Sequence, residues 1–204
     1  MIATSCDTTF EMSAPSRWEI GGARLELAIG DLTRAETDAI VNAANATLLG
    51  GGGVDGAIHR GAGPELLAAC RQVKTTLPGG RLRTGGAVIT PGFRLPARHV
   101  IHCVGPVHAA EGARAPALLA SCHREALAIA REHALASVAF PAISTGVYGY
   151  PLAAAAEVAI GTVADELRTH GAPALVRFVL FDAGAFEAFA AAATSLLGPG
   201  NDAR

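Results

Sequence analysis

The 204-residue chain is predicted to fold as one α/β domain, a central sheet covered by helices on both faces. Three observations carry that expectation. Short apolar runs bounded by Gly, Pro or Asn alternate with longer segments whose apolar residues recur at helical spacing, the pattern of buried strands joined by crossover helices. The composition, 50% hydrophobic and 17% charged with a formal net charge of −2, is that of a folded protein with enough chain for a sizeable core. No internal repeat and no linker-like stretch divides it.

Residues 1–20 have weak periodicity and read as a leader, with Trp18 and Ile20 available to dock onto the body. Arg24 to Ile29 alternates as a strand and Gly30-Asp31 ends it. Ala39-Ile40-Val41 is a second, more buried strand, interrupted by the polar side chains of Asn42-Ala43-Ala44-Asn45. The glycine run Gly50 to Gly53 follows. Val54 to Ala69 is helical material broken at Gly61-Ala62-Gly63-Pro64, and Pro64 opens the second helix because its missing N–H is not needed there. Val88-Ile89 and Val100 to Val104 are short strands. Residues 114–133 form a helix with Leu119, Cys122, Ala126 and Ile129 along one face. Ser137 to Phe140 is the next strand. Leu152 to Arg168 carries a helical stripe of Ala156, Ile160, Val163 and Leu167. A strand over 175–181 and a last helical face of Phe186, Phe189, Ala193 and Leu196 complete the body, which is bounded at 21–198 with a tail at 199–204.

Bulk properties exclude several classes. The arginines are scattered, with Arg81, Arg83, Arg94 and Arg98 the only local grouping, so an extended nucleic-acid duplex is not an expected partner. Cys6, Cys70, Cys103 and Cys122 have neither knuckle spacing nor the density of a disulfide scaffold, and reduced thiols in a cytoplasm are the simpler expectation. Asp7 and Glu11 precede any sustained apolar run, unlike a signal peptide, and no apolar stretch is long enough to span a membrane. A monomer is the default.

Two loops are candidates for chemistry. In Asn42-Ala43-Ala44-Asn45, Gly50 to Gly53, Val54-Asp55-Gly56, consecutive glycines expose backbone N–H groups and admit a ligand close to the chain. Where such a loop feeds a helix, the first-turn N–H groups can receive phosphate oxygens. Asp55, near the start of that helix, also suits an ordinary capping role. The second loop, Ser144 to Pro151, follows a buried strand and precedes a helix, a placement common to α/β ligand sites. Its alternative is a tight turn whose tyrosines cover the domain edge. Two glycine loops after two strands favour one shared phosphate cleft.

Other chemistries fit poorly. Gly51 to Asp55 lacks the Gly-Lys-Ser/Thr of a Walker loop, and the glycine order misses the dinucleotide fingerprint. His59, His99, His102, His108 and Cys103 lack a zinc spacing, and His102 reads as a structural histidine with a satisfied ring nitrogen. Cys103 and Cys122 fit apolar faces better than nucleophile positions. Ser144 sits in no Gly-x-Ser-x-Gly elbow. No metal and no cofactor are expected.

The chain closely resembles the macrodomain family, specifically its MacroD-type ADP-ribose hydrolase branch. The stretches that carry the resemblance are Gly30-Asp31-Leu32-Thr33, Ala39 to Asn45, Gly50 to His59, Val100 to Pro106, and Phe140 to Pro151, within a span of about residues 24–190. The resemblance implies a three-layer α/β/α macrodomain with a central, mostly parallel mixed sheet and ADP-ribose across the loop edge. Asp31 matches the acid that accepts from the adenine amino group, with capping of its own turn as its plain alternative, and Leu32 would add a backbone contact. Gly51, Gly52, Gly53 and Val54, with Ser144, Thr145, Gly146, Val147 and Tyr148, would embrace the diphosphate, and Asn42 belongs to the same substrate-binding set. Asn45 matches the residue that orients the distal ribose, Asp55 the acid linked to hydrolysis, and Tyr148 the aromatic position near that ribose. Phe181 or Asp182 would line the adenine end.

The implied reaction is hydrolysis of an acyl ester on the distal ribose, giving ADP-ribose from O-acetyl-ADP-ribose or from proteins mono-ADP-ribosylated on acidic side chains. Asp55 would position or deprotonate the water. A non-catalytic ADP-ribose reader and a hydrolase of ADP-ribosylated nucleic-acid ends are the alternatives. The chain departs from the branch at Leu82, Arg83 and Gly86, where cysteine, proline and glutamate are common, and at Ala183-Gly184, which replaces a more acidic stretch.

Overall fold

The structure, a computed structural model, describes residues 16–202. The first part of the expected leader, with Cys6, Asp7 and Glu11, lies outside them. Eight strands form one mixed sheet: β1 (Ser16–Ile20), β2 (Ala23–Ile29), β3 (Ala39–Ala44), β4 (Ala87–Pro91), β5 (His99–Val104), β6 (Ser137–Phe140), β7 (Leu175–Leu180) and β8 (Asn201–Asp202). Their order is β4-β5-β3-β6-β7-β2-β1-β8. The run from β5 to β2 is parallel, and antiparallel strands close both sides. The helices are α1 (Gly53–Ala62), α2 (Pro64–Thr76), the short α3 (His108–Glu111), α4 (Ala115–Glu132), α5 (Leu152–His170) and α6 (Ala183–Leu197).

The central strands are apolar on both faces because helices cover both. Val41, Ile101, Cys103, Val138, Phe140 and Phe178 point to the layer of α4, α5 and α6, where Leu119, Cys122, Ala126, Ile160, Val163 and Phe189 meet them. The alternate residues Ile40, Ala44, Val100, Val104 and Ala139 meet Ile58, Leu66 and Cys70 of α1 and α2. The expected stripe of α5 is wholly buried, whereas Leu196 of α6 remains 48% exposed. Val179 of β7 still joins the cluster of α1 and α2, and beside it this face turns polar over β7 and β2. There Glu26, 4% exposed, accepts from Arg177 Nε at 2.9 Å and Arg177 Nη2 at 2.6 Å, and Arg24 Nη1 lies 3.6 Å from its other oxygen.

Two expected boundaries move. Ser16–Ile20, assigned to the leader, is strand β1, pairing with β2 from Ser16↔Leu27 to Ile20↔Ala23. Part of the expected tail is strand β8, which pairs with β1. The cause is side-chain packing across the chain ends. Trp18 and Ile20 are each 6% exposed, and Trp18 Nε1 donates to Gly198 O at 2.9 Å. A side chain on Gly200 would collide with the Trp18 ring, so the closing strand lies directly on the indole.

Candidate active site

β3 and β6 are neighbours in the sheet, yet the loops leaving their C-terminal ends feed helices on opposite faces, α1 and α5. That divergence opens a crevice, as at the switch point of other open α/β sheets. The crevice encloses about 410 Å³ and is lined by Ala43 to Asn45, Gly51 to Asp55, Gly105, Ala142 to Ser144, and Gly146 to Tyr148.

The first wall begins in β3, which continues through Asn42 to Ala44. Asn45 then braces the glycine run: its Oδ1 accepts from Thr47 N at 2.9 Å and Thr47 Oγ1 at 2.6 Å, and its Nδ2 donates to Gly50 O at 2.9 Å. Gly50 and Gly53 have φ of 81° and 57°, a region that favours glycine. The N-cap of α1 is Gly52, with no capping side chain, so the first-turn amides face the crevice without a competing oxygen.

The second wall is the Ser144 to Pro151 loop. Gly149 N donates to Gly146 O at 2.9 Å and Tyr150 N to Ser144 O at 3.0 Å. The amides of 145–148 donate to no protein acceptor among the described residues. Ser144 has φ of 67°, and Gly105 leaves room for it, since a side chain at 105 would fall on Ser144 Oγ and Ile143. Tyr148 lines the crevice, its carbonyl accepting from His108 N at 3.0 Å, while Tyr150 is buried against the His108 ring.

Asp55 enters from the first turn of α1 and is only 5% exposed. Its Oδ1 accepts from Asn42 Nδ2 at 2.7 Å and lies 3.5 Å from His59 Nε2. Its Oδ2 faces Gly51, where an added Cβ would stand 3.0 Å from Oδ2 and 3.5 Å from Asn45 Nδ2. Burial pushes the carboxyl above the ordinary aspartate range, and the Asn42 hydrogen bond and the nearby His59 offset part of that rise. The result is a carboxylate with one oxygen held from below and the other on the crevice wall. No capping bond from Asp55 closes α1, so the plain alternative is not the one adopted.

Most of the expected residues line this crevice; six do not. Asn42, expected among the substrate contacts, is 0% exposed and bonds Asp55 from underneath. Thr145 turns away, its Oγ1 donating to Ala142 O at 2.9 Å. Asp31 accepts from Thr33 N and Oγ1 at 2.9 and 2.7 Å, the turn-capping role, and Leu32 is buried behind it. Phe181 is 87% exposed. Asp31 and Phe181 follow β2 and β7 on the same edge of the sheet as Asn45 and Ser144, beside the crevice rather than in it. Asp182 caps α6, accepting from Ala185 N at 2.8 Å. His59 and Gly105 join the site without having been expected there; the i,i+4 spacing of Asp55 and His59 on one helix is the sequence signal for the former.

The remaining candidates behave as core groups. Cys103 and Cys122 are free and fully buried, and burial pushes the Cys122 thiol up to about 12. Among the described residues no three His, Cys, Asp or Glu side chains gather to hold a metal ion, and no helix is long and apolar enough to cross a membrane.

Known proteins with this arrangement are numerous. The chain is 56% identical to a macro domain-containing protein of Streptomyces coelicolor, over 82% of this chain and 96% of that one. It is 52% identical to the O-acetyl-ADP-ribose deacetylase of Salmonella typhimurium, over 78% of this chain and 88% of that one. The solved macrodomain of Oceanobacillus iheyensis with ADP superposes with a TM-score of 0.88 at 44% identity, over 91% of this chain and 97% of that one. Residues 41–159, which hold both crevice walls, match the Macro domain model, and the chain belongs to that family.

Proposed function

We propose that the protein is a metal-independent hydrolase of ADP-ribose esters, releasing ADP-ribose from O-acetyl-ADP-ribose, from mono-ADP-ribosylated Asp or Glu side chains, or from both. The observation that carries this reading is the pose of Asp55, with Oδ1 fixed by Asn42 and Oδ2 on the crevice wall beside Asn45. A module that only binds an anionic ligand needs the unpaired amides, but a carboxylate aimed into the same crevice would repel that ligand. The pose has a use when a water must be held and deprotonated there. The deacetylase name of the Salmonella relative supports the same class of reaction.

In this reading the diphosphate rests on the first-turn amides of α1 and on the amides of 145–148, which balance its charge. Asn45 and Tyr148 set the distal ribose. The adenosine runs along the sheet edge towards Asp31, Leu32 and Phe181, a shift of three strand spacings or about 14 Å. Water on Asp55 Oδ2 attacks the acyl carbon as its proton passes to the carboxylate. The bond from acyl carbon to ribose oxygen then breaks, and the proton goes to that oxygen. The products are ADP-ribose and a carboxylic acid. The raised pKa makes Asp55 a stronger base than an exposed aspartate.

Release of ADP-ribose from O-acetyl-ADP-ribose by wild type and Asp55→Ala, without added metal, tests the reading. The expected loss is about 10²-fold or more in kcat with ADP-ribose affinity retained. Tight ADP-ribose binding with no release by wild type from either the acetyl ester or an ADP-ribosylated acidic peptide would make the protein a reader.

A further inference from the structure

Beneath Asp55 a chain of buried polar side chains leads away from the crevice across three adjacent strands. Asn42 of β3, His102 of β5 and Thr90 of β4 are 0%, 0% and 3% exposed, on the face covered by α1 and α2. Asn42 Nδ2 lies 2.7 Å from Asp55 Oδ1 and 3.1 Å from His102 Nδ1, and His102 Nε2 lies 2.9 Å from Thr90 Oγ1. Such a network costs stability in an apolar interior unless its members satisfy one another.

Elementary hydrogen-bond chemistry fixes its polarity. An ionised carboxylate only accepts, so the Asn42 atom facing Asp55 is the amide nitrogen. The same nitrogen faces His102, so its second N–H points at Nδ1, which must carry a lone pair. The ring proton is then on Nε2 and is donated to Thr90 Oγ1. Around the ring stand Cys70 of α2, with Sγ 3.8 Å from Nε2, and His59 of α1, with ring centroids 6.5 Å apart. Burial holds His102 neutral, down to about 3, so the Nδ1 lone pair is kept across the working pH range.

We propose that Thr90 and His102 are positioning residues for Asp55. By accepting the proton on Nε2, Thr90 supports the His102 tautomer that Asp55 and Asn42 require, so that one Asn42 N–H is held by the ring and the other pins Oδ1, which leaves Oδ2 aimed at the hydrolytic water. The inference rests on the reading of Asp55 as the base. A purely structural role would predict that any substitution of Thr90 that keeps the fold also keeps the rate.

The test uses the full chain with Thr90→Val, which keeps shape and removes the acceptor, Thr90→Ser, which keeps the acceptor, and Asp55→Ala. Thr90→Val is expected to lower kcat by about tenfold to a hundredfold, with KM and ADP-ribose affinity within about twofold, and Thr90→Ser to recover most of the rate. Nitrogen-15 NMR of wild type is expected to show His102 protonated at Nε2 and bare at Nδ1. Wild-type kcat in folded Thr90→Val, beside an inactive Asp55→Ala, would overturn this inference and leave the function standing. Undiminished turnover in Asp55→Ala would overturn both. Should Thr90→Val fail to fold, a proton on Nδ1 of the wild-type ring, or a Thr90→Ser rate as low as that of Asp55→Ala, would still reject the proposal.

Discussion

Replacing Gly51 by alanine separates the two oxygens of Asp55. The new methyl would stand 3.0 Å from Oδ2 and 3.5 Å from Asn45 Nδ2. In the proposed reaction a water hydrogen-bonded to Oδ2 sits at about 2.8 Å, and a methyl 3.0 Å from the same oxygen crowds it. The fold has little reason to suffer. Gly51 is outside the left-handed region, and its neighbours at that point are side-chain atoms, not backbone. Gly→Ala at a compatible position gains about 0.4–1 kcal/mol through the unfolded chain, and the close approach to Oδ2 gives back a similar amount. The net change is expected within about 1 kcal/mol, a shift in Tm of less than about 4 °C. Catalysis loses the contribution of a positioned base, about 10²-fold or 2.7 kcal/mol of transition-state stabilisation. The assay is ester release under saturating substrate, paired with calorimetric binding of ADP-ribose and a thermal melt. A folded Gly51→Ala variant with wild-type kcat would show that Oδ2 is not the atom that holds the water.

Two further outcomes follow from the titrating groups. Asn42 lowers the Asp55 pKa against the larger effect of burial, so Asn42→Leu raises that pKa further and moves the acid limb of kcat/KM to higher pH; an unmoved limb would dissociate Asn42 from the base. His102 and His123 are held at about 3 and about 4, so between the ordinary histidine value near 6.5 and those values the unfolded chain takes up protons that the folded one refuses. Their stabilising effect is therefore complete above that ordinary value and falls by about 1.4 kcal/mol per pH unit for each as the solution is acidified. Denaturant melts at about pH 7 and about pH 5 should differ accordingly, and His123→Leu should remove roughly half of the slope; equal stabilities would show that neither ring is buried neutral.

The α/β layering was legible because both faces of the central strands are apolar while each helix keeps a stripe, and the α5 stripe lies where its spacing put it. The crevice loops were legible for a local reason: glycine runs and an uncapped helix start are written in adjacent residues. What escaped depends on partners distant in sequence. Arg17 and Glu19 alternate with buried neighbours in a strand too short to stand out, and only β2 and the Trp18–Gly198 bond reveal it. Asn42 looked like a loop residue because its polarity ends an apolar run. It stays in β3 because His102, 60 positions away, and Asp55 answer the two N–H groups of its amide nitrogen. Asp31 and Phe181 belong to neither crevice wall, and their resemblance-based place at the adenine end remains part of the proposal.

The pairing of Ser16 with Asp202 brings the first and last strands of the described chain side by side at the edge of the sheet remote from the crevice. Ser16 and Asp202, so close together, can be joined by a few residues with little strain, and new ends opened in an exposed turn such as 133–134, at a site chosen by burial and not by sequence position. The linear order in which the elements are synthesised is thus separable from the architecture they build. A host chain can carry the whole unit as an insertion in one of its own loops, entering and leaving through neighbouring points on the far side of the sheet from the crevice strands.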